Sequence, residues 1–394
     1  MAERLSNRGI FMLAVASAFV TANAYYIHPI IGRVADSFGV GNGLVGIVPA
    51  LNQFALALGV LLLLPLGDRM SNRRLVSLCL SVQVLALLCM AITQSFVVFV
   101  FGSTILGFFT ITPYLLPAYA SKRVEVASLG FVTAVLTAGV LAGVQVSRLA
   151  SGVIAEYLGW RVVYWVAASL MAVAAVALPL IMQSEKKQRD AAIPSYGSLL
   201  SSLYGLALQH RRVVVSGLIQ GLNFGMFIAT WMGIGLHLTS DRMNLGTDIV
   251  GYLAAFSGIA VLFTPMAGRY ADRYGPERAR LFAACAQLVG IATYALTGST
   301  WWYLLLPIAI TAIVGPIIDV SGRMTGLSQP PDVRTRMMSL YITLMFLGGS
   351  VGSWGGTVAY DLGGWSGTVA LICSMSLAVC LLSYQQYRSS LVQR

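Results

Sequence analysis

The stretch of sequence that decides the fold is an acidic and basic loop that occurs twice. The first copy is Gly67-Asp68-Arg69-Met70-Ser71-Asn72-Arg73-Arg74, and the second, 204 residues later, is Ala271-Asp272-Arg273-Tyr274-Gly275-Pro276-Glu277-Arg278. A second landmark keeps nearly the same spacing, since Tyr157-Leu158-Gly159-Trp160 returns as Asp361-Leu362-Gly363-Gly364-Trp365. Two landmarks at one spacing indicate that the chain contains two copies of one structural unit. Each copy of the loop lies between two long apolar runs, which is typical of a duplicated helical bundle in a two-state transporter.

The composition indicates that this unit is embedded in a membrane. Of the 394 residues, 57% are hydrophobic and 10% are charged, and the mean hydropathy is +0.79. The segment from Leu75 to Ser121 contains no charged residue, and it is long enough for two crossings of about 20 residues each. The first apolar run is too long for a cleaved signal peptide, and Tyr25, Tyr26 and His28 stand where a small-residue cleavage site would be.

Twelve apolar segments are each long enough to cross a bilayer. They cover residues 9–31, 43–66, 75–94, 97–120, 127–155, 161–182, 213–238, 246–267, 280–298, 301–322, 337–359 and 365–386. With the N-terminus inside the cell, 21 of the 25 Lys and Arg residues fall in cytoplasmic segments. This asymmetry predicts that both termini are cytoplasmic. The net charge of +11 is therefore interpreted as a topology signal, which excludes nucleic acid as a partner and favours contact with membrane lipids.

A polar stretch divides the chain into two halves. Residues 183–212 form a predicted cytoplasmic linker between a half at 1–182 and a half at 213–394. Apolar residues recur in the linker at helical spacing, at Tyr196, Leu199, Leu200, Leu203 and Tyr204, which predicts an amphipathic helix on the inner membrane surface. We expect an all-α membrane protein with 12 transmembrane helices in two pseudo-symmetric six-helix halves.

The two halves differ in the fifth and eleventh spans. Gly143 and Gly152 are nine residues apart, whereas their predicted equivalents, Gly352 and Gly356, are four apart. The first half therefore contains a local insertion, and that insertion holds Arg148.

At this point the chain resembles the major facilitator superfamily over essentially its whole length. The inner-loop motif of that family runs Gly-x-x-x-Asp-Arg-x-Gly-x-x-x-x-Arg. The second loop matches it with Gly268, Asp272, Arg273, Gly275 and Arg278; the first keeps Asp68, Arg69, Arg73 and Arg74 but has Leu64 and Ser71 in place of the glycines. The resemblance implies the major facilitator fold, with the first, fourth, seventh and tenth spans lining a cavity, and a transporter rather than an enzyme.

Within that superfamily the chain is similar to the drug or metabolite:proton antiporter branch. The segments that carry this similarity are Asn23-Ala24-Tyr25-Tyr26 and Ser147-Arg148-Leu149-Ala150-Ser151-Gly152. Gly139 and Gly143 match the glycines of the antiporter signature in the fifth span, although Val144 replaces its proline. The resemblance implies proton-coupled export of drugs or of a secreted metabolite such as a siderophore. We expect a monomer in the inner (plasma) membrane of a bacterium.

The repeated loops are predicted to form the cytoplasmic gate. An Asp at the inner end of one span can accept hydrogen bonds from exposed N–H groups at the start of another helix. Asp68 is expected to reach the start of the eleventh span near Met337, and Asp272 the start of the fifth span near Ala127. The predicted gate residues are Asp68, Arg69, Arg73, Asp272, Arg273 and Arg278. In the alternative interpretation these charges only fix the topology.

Charged residues inside the spans are the predicted proton-coupling groups, because an ionisable group in a bilayer is costly. Asp319 in the tenth span is expected to exchange a proton, since an apolar cavity favours the neutral carboxyl. Its alternative role is an ion pair with Arg323, four residues later. Arg148 is expected to pair with a carboxylate such as Glu156, about two turns away, with helix-end carbonyls or with an anionic substrate. His28 is either a titrating group or a partly exposed residue at the interface.

Amides and aromatic rings on the cavity-lining spans predict a pocket for moderately polar, aromatic molecules. The predicted substrate-binding residues are Asn23, Tyr26, Tyr114, Gln145, Gln220, Asn223, Phe227 and Trp231. Each of these side chains could instead hold helices together.

The sequence contains no motif for ATP hydrolysis, metal binding, nucleophilic catalysis or dinucleotide binding. We therefore expect no enzyme activity and no cofactor, and the predicted partners are a small-molecule substrate, protons and membrane lipids. Two other functions remain open. One is a facilitator or importer of organic anions with Arg148 as the anion ligand, and the other is a membrane receptor or scaffold that transports nothing.

Overall fold

The computed structural model describes residues 5–68, 70–121, 123–125, 128–182, 197, 205–296 and 300–392. Within these ranges the regular elements are all helical, which confirms the predicted all-α fold. The predicted linker at 183–212 falls mostly outside the described residues. Its amphipathic helix and the division of the chain at that point therefore stay predictions.

Within the described chain, nine helices supply the six spans of the first half. They are α1 (Asn7–Ala22), α2 (Ile27–Phe38), α3 (Asn42–Val45), α4 (Ile47–Leu63), α5 (Asn72–Ile92), α6 (Phe96–Phe109), α7 (Thr112–Ser121), α8 (Leu129–Leu158) and α9 (Trp160–Ile181). The first span consists of α1 and α2, which are joined by a turn at residues 23–26. The second span consists of α3 and α4, and the fourth of α6 and α7. The third, fifth and sixth spans are single helices.

Six helices from the described part of the second half supply the other six spans. They are α10 (Arg211–Leu238), α11 (Thr247–Ser257), α12 (Ala260–Tyr274), α13 (Pro276–Ala292), α14 (Leu305–Leu327) and α15 (Pro331–Val392). The eighth span consists of α11 and α12. The eleventh and twelfth spans are both in α15, which is interrupted at Gly364, where φ is 57° and ψ is −147°. Ten stretches of the described chain are long and apolar enough to cross a membrane, one of them being the merged eleventh and twelfth spans.

The second repeated landmark of the sequence is a tight break between two spans. Gly159 lies between α8 and α9 with a φ of 90°, and Gly364 lies at the break in α15 with a φ of 57°. A positive φ is readily adopted by glycine and is strained for most other residues. Trp160 and Trp365 each follow the break directly. The repeat therefore preserves a backbone conformation that turns the chain between spans without a loop.

A buried pair of amides ties the first span to the third in each half. The Asn23 side chain donates to Gln83 Oε1 at 2.9 Å, and the Gln287 side chain donates to Asn223 Oδ1 at 2.9 Å. Gln83 and Gln287 are 204 residues apart, the spacing that separates Asp68 from Asp272. The duplication thus extends from the loops to the interior of each half.

Glycines allow the fifth and eleventh spans to pack against the first span of their own half. A Cβ atom at Gly139 or Gly143 would overlap the backbone of α1, and one at Gly348 or Gly352 would overlap that of α10. Beyond these glycine pairs the halves differ. Sixteen residues separate Gly143 from Gly159, whereas twelve separate Gly352 from Gly364. Four extra residues correspond to about one helical turn, and the predicted insertion around Arg148 stays a prediction.

The two halves are closed against each other at one end of the bundle. We call the end that carries both chain termini and the repeated loops the inner end, and the opposite end the outer end. In the outer part α2 packs on α10, α4 on α15 and α8 on α11. Small residues make these approaches possible, since Gly46 lies against Thr357 and Gly152 against Gly251. Among the described residues the substantial contacts between the halves lie in this part, so the structure is outer-closed.

Candidate substrate and coupling site

Arg148 lies at the centre of the interface between the halves, and its side chain is completely buried. Nη2 donates to Gln145 Oε1 at 2.6 Å, and Nε donates to the carbonyl of Val144 at 3.2 Å. Nη1 has no hydrogen-bond partner among the described residues. Both acceptors are neutral, so hydrogen bonding gives the guanidinium no opposite charge.

Aromatic rings from both halves surround this guanidinium. Its central carbon lies 4.5 Å from the ring centre of Trp231, 5.0 Å from that of Phe227 and 5.9 Å from that of Tyr25. Tyr25 belongs to the first half, and Trp231 and Phe227 belong to α10 of the second. A cation over ring faces at such distances is attracted to the negative face of each ring. Arg148 therefore lies where the two halves meet.

The predicted pair between Arg148 and Glu156 is not formed. Glu156 binds Arg33 instead, with Nη2 of Arg33 donating to Oε2 at 2.5 Å. Glu156 Oε2 also accepts from the backbone N–H of Thr247 at 2.8 Å. Thr247 is the first residue of α11, so Glu156 occupies the position of an N-cap ligand supplied by the other half. The reason for the error is distance, since eight residues advance a helix by about 12 Å.

We call Arg33, Glu156 and Thr247 the outer lock. Arg33 and Glu156 belong to the first half, and Thr247 belongs to the second. The Thr247 hydroxyl also donates to the carbonyl of Gly152 at 2.8 Å. The bonds of Thr247 to Glu156 and Gly152 join the fifth and eighth spans of opposite halves, so they exist only in an outer-closed arrangement. The pair of Arg33 and Glu156 lies within the first half and orients the carboxylate that Thr247 binds. Glu156 was predicted as a proton-coupling group, and its described contacts are those of a gate.

Asp319 takes part in a polar cluster between the tenth and eleventh spans. Arg323 Nε donates to both carboxylate oxygens at 3.0 Å, and the Tyr341 hydroxyl donates to Oδ1 at 3.0 Å. The side chains of Asp319 and Arg323 are 27% and 34% exposed. The pairing with Arg323 that the sequence left open therefore occurs, and the carboxylate remains accessible.

Three predicted substrate-binding amides lie within the halves. Asn23 faces Gln83 of the third span, and Asn223 donates to Gln220 Oε1 at 3.0 Å while accepting from Gln287 of the ninth span. These are the contacts expected from the helix-packing alternative. Tyr26 is also buried, at the turn between α1 and α2.

The other four predicted substrate residues meet at the interface between the halves. Gln145 accepts from Arg148 and donates through Nε2 to Ser257 of α11 at 2.9 Å. Phe227 and Trp231 face Arg148, and the half-buried Tyr114 lies 5.8 Å from the ring of Phe346 on the eleventh span. The structure therefore brings Tyr114, Gln145, Phe227 and Trp231 to one surface between the halves.

His28 is not the partly exposed interfacial residue that one interpretation predicted. Its side chain is completely buried, and its ring lies 5.2 Å from that of Tyr25. Neither ring nitrogen has a hydrogen-bond partner among the described residues. The prediction failed because the outer end of the first span is covered by α10, a contact that the first span alone does not reveal.

The gate loops are only partly described. Arg69, Ala127 and the side chain of Asp68 lie outside the described residues. Asp272, Arg273 and Arg278 are exposed, and Arg73 is half-buried. Since Asp272 faces solvent in this outer-closed structure, its predicted contact with the start of the fifth span remains a prediction for the opposite conformation.

Sequence reasoning missed five residues that the structure brings into the functional regions. They are Arg33 in the outer lock, Tyr341 in the Asp319 cluster, Phe224 and Phe346 beside Phe227, and the buried Arg280. Arg280 was counted with the cytoplasmic charges, but only 1% of it is exposed, and it donates to Ser216 at 3.0 Å and to Gln386. Arg148 is therefore not the only Arg deep within the bundle. The sequence could have indicated this burial, since Arg280 is the first residue of the predicted apolar span at 280–298.

The pseudo-symmetric helical halves and the apolar spans are those of a membrane transporter. A family model described as the Major Facilitator Superfamily matches residues 13–329 and also 213–389. Together the two matches cover most of the chain. The chain belongs to the Major Facilitator Superfamily.

Relatives by sequence are transporters as well. The chain is 25% identical over 362 residues to the "Uncharacterized transporter YgaY" of Escherichia coli O157:H7, covering 92% of this chain and 91% of that protein. It is 25% identical over 363 residues to the "Probable transporter SCO4007" of Streptomyces coelicolor, covering 88% and 83%. The homologues and the fold are those of transporters and not of enzymes.

Solved structures share the fold at low sequence identity. A point mutant of the nucleoside transporter NupG superposes with a TM-score of 0.78 at 13% identity, covering 96% of this chain and 98% of that one. A bacterial homologue of the human lysosomal transporter Spinster, inward-facing and unoccupied, superposes with a TM-score of 0.78 at 12% identity, covering 98% of both chains. These similarities show the major facilitator fold, with its two pseudo-symmetric halves.

Proposed function

We propose that this chain is a proton-coupled secondary transporter that exports small amphipathic molecules by alternating access. Drugs and secreted metabolites such as siderophores are the candidate cargo. The proposed setting is a bacterial plasma membrane with both termini in the cytoplasm, which is supported by the positive-inside asymmetry and by the bacterial relatives. Export rests on the resemblance to the antiporter branch.

The observation that carries the proposal is the accessible carboxylate of Asp319 in the tenth span. A proton on Asp319 would remove the charge that holds Arg323 and would leave a neutral group beside Tyr341. Tyr341 is on the eleventh span, and the outer part of that span packs against α4 of the first half. Protonation at Asp319 would therefore act on the helix that carries part of the outer-closed interface, which is how a proton can bias the two conformations.

The test uses Asp319→Asn in proteoliposomes loaded with a pH-sensitive dye. In the wild-type protein, a panel of drugs, siderophores and organic acids is screened for compounds that move protons on addition. For each active compound, Asp319→Asn should abolish the proton movement and gradient-driven transport while leaving exchange of labelled compound across the membrane. Asp241→Asn, which neutralises an exposed acid in an outer loop, is the matched control and should behave as wild type. Normal uphill transport by Asp319→Asn would refute the assignment.

A second candidate, an uncoupled facilitator or importer of organic anions, is favoured by the buried guanidinium of Arg148. Without a carboxylate partner among the described residues, this cation is suited to an anionic ligand. Counterflow of a labelled anion with no imposed pH gradient, unaffected by Asp319→Asn and lost in Arg148→Ala, would support this function over proton-coupled export.

A further inference from the structure

Two completely buried guanidinium groups in the described spans, those of Arg148 and Arg280, are hydrogen-bonded only to neutral groups. The partners of Arg280 belong to its own half, whereas Arg148 lies between the halves. Arg323 is paired with Asp319, and Glu156 is paired with Arg33. Arg148 has no ion pair within the described chain, and its Nη1 has no partner there at all. An Arg side chain stays protonated in proteins, so it cannot reduce this cost by losing its proton. A buried charge with a missing partner is expensive, and an anionic ligand would supply the partner.

A continuous run of aromatic rings begins at this guanidinium. Phe227 faces Arg148, Phe224 stacks on Phe227 at 6.0 Å between ring centres, and Phe346 meets the edge of Phe224 at 5.7 Å. Tyr114 continues the run at 5.8 Å from Phe346 and is half-buried. The rings come from the fourth, seventh and eleventh spans, so the run crosses between the halves. The run presents ring faces and edges to a ligand over more than one ring. It is therefore better suited to an aromatic acid than to a small aliphatic acid.

Gln53 adds a polar group beside this run. It is completely buried, and neither its Nε2 nor its Oε1 has a hydrogen-bond partner among the described residues. Its Oε1 lies near Gly349, which also contacts Phe224. A buried amide normally has its hydrogen bonds made, so this side chain is available for a polar substituent at the other end of a ligand. The site therefore combines a cation, a run of rings and an amide.

We propose that Arg148, Phe227, Trp231 and Gln53 form a binding site for aromatic carboxylates, with the carboxylate on Nη1 of Arg148 and the aromatic body along the rings. The inference rests on the proposed transport function and names its substrate class. The bound anion neutralises a charge that the outer-closed state buries, so a loaded transporter closes its outer end more readily than an empty one.

The experiment measures thermal stabilisation of the purified full-length protein by four small probes. They are 2-naphthoate, the uncharged 2-naphthalenemethanol, the non-aromatic cyclohexanecarboxylate and the cationic 2-naphthylmethylammonium. A ligand that binds the folded state raises its melting temperature in proportion to the logarithm of the ligand concentration above Kd. We expect 2-naphthoate to stabilise the wild type and to bind at least about tenfold more tightly than the other three probes, because each lacks a charge-assisted bond or a ring contact.

Arg148→Met tests the cation, and Arg280→Met is its matched control. Both changes remove a completely buried guanidinium, but Arg280 lies at the inner end among Ser216 and Gln386. Arg148→Met should lose the response to 2-naphthoate, and Arg280→Met should keep it relative to its own unliganded protein. Equal stabilisation of Arg148→Met and wild type, or equal binding of 2-naphthoate and 2-naphthalenemethanol by wild type, would overturn the proposal. The probe comparison in wild type decides the matter if a variant does not fold.

Asp319→Asn separates this inference from the proposed function. Its binding of 2-naphthoate should match wild type, whether or not its proton-driven transport is lost. Loss of proton coupling with unchanged probe selectivity supports both ideas. Normal transport by Asp319→Asn with selective binding of 2-naphthoate would leave the aromatic-carboxylate site standing and refute proton coupling at Asp319.

Discussion

Residue by residue, the amides of this chain illustrate how one side-chain type can serve packing or substrate contact. Asn23 and Asn223 were predicted to bind substrate. Each is instead hydrogen-bonded to a Gln in the third span of its own half. Gln145 was predicted with them and lies instead between Arg148 and Ser257, on opposite sides of the interface. Whether an amide points into its own half or between the halves is decided by the rotation of its helix, which one sequence does not give.

The amide pair of the first half should contribute to stability rather than to specificity. Gln83→Leu would leave the Asn23 amide without its acceptor, and it should destabilise the protein by about 1 kcal/mol, the upper range for hydrogen bonds between membrane helices. Asn23→Leu combined with Gln83→Leu should be less destabilising than the sum of the single changes, because the Asn23 amide is then absent and is not left without its acceptor. Thermal unfolding in detergent measures the cycle. Strict additivity, or a changed substrate preference in Asn23→Leu alone, would contradict the packing role.

At the scale of helices, glycine sets the distance between the seventh and eleventh spans. Gly348 and Gly352 lie against Gly221 and Gly225, so the two backbones approach more closely than side chains would allow. Membrane helices gain stability from such close packing because lipid provides little hydrophobic drive for their association. The equivalent contact of the first half uses Gly139 and Gly143 against alanines of α1. The glycine positions are part of the fold's symmetry.

Adding one methyl group at this crossing should be costly. Gly352→Ala places a Cβ against the backbone of Gly225 and should destabilise the protein by about 1–3 kcal/mol, as overpacking does elsewhere. Gly355→Ala is the matched control, because a Cβ there meets only the Leu371 side chain at ordinary contact distance. Thermal unfolding of both variants gives the comparison, and equal stability of the two would show that the crossing does not depend on glycine.

At the scale of the whole molecule, the structure is held outer-closed by contacts that join the halves. The outer lock contributes hydrogen bonds to a charged group, and part of its ion-pair energy is screened because Arg33 and Glu156 are partly exposed. The repeated loops at the inner end are predicted to stabilise the other conformation, because their contacts would form when the inner end closes. Each conformation would then have a carboxylate at the start of a helix in the other half.

Weakening the outer lock should shift the population toward the outer-open state. Glu156→Gln removes the ion pair but keeps an acceptor for the Thr247 N–H, whereas Glu156→Ala removes both, so the shift should be larger for Ala. For Glu156→Ala we expect roughly a tenfold increase in the labelling rate of Val45→Cys, a buried outer position, in a protein whose five native cysteines are replaced. The reagent is a membrane-impermeant maleimide.

Asp248→Asn is the control for this measurement. Asp248 is the acidic residue in the first turn of α11, one position from Thr247, and is half-buried. Its removal should leave the labelling rate close to that of the otherwise unmodified protein. Unchanged labelling in both Glu156 variants would mean that the lock does not determine the conformation.

The sequence by itself determined the fold. Membrane insertion requires about 20 apolar residues per crossing with backbone bonds made inside each helix, so eleven of the twelve spans can be recognised from composition and length. The eighth span, α11 and α12, is not among the apolar stretches of the described chain. The duplication can be recognised from the repeated loop and from the landmark at Gly159 and Gly364. Gln83 and Gln287 have the same separation as the two loops, 204 residues.

Only the tertiary structure decided which charged and polar groups meet. Arg33 and Glu156 are 123 residues apart, and Thr247 is 91 residues beyond Glu156. Pairing over such separations depends on how two halves approach, and local spacing favoured the wrong partner, Arg148. Likewise the rings around Arg148 come from helices whose facing sides are fixed by packing. The physical reason is that helix formation is local along the chain, whereas the partner of a buried charge is chosen by the contact between halves.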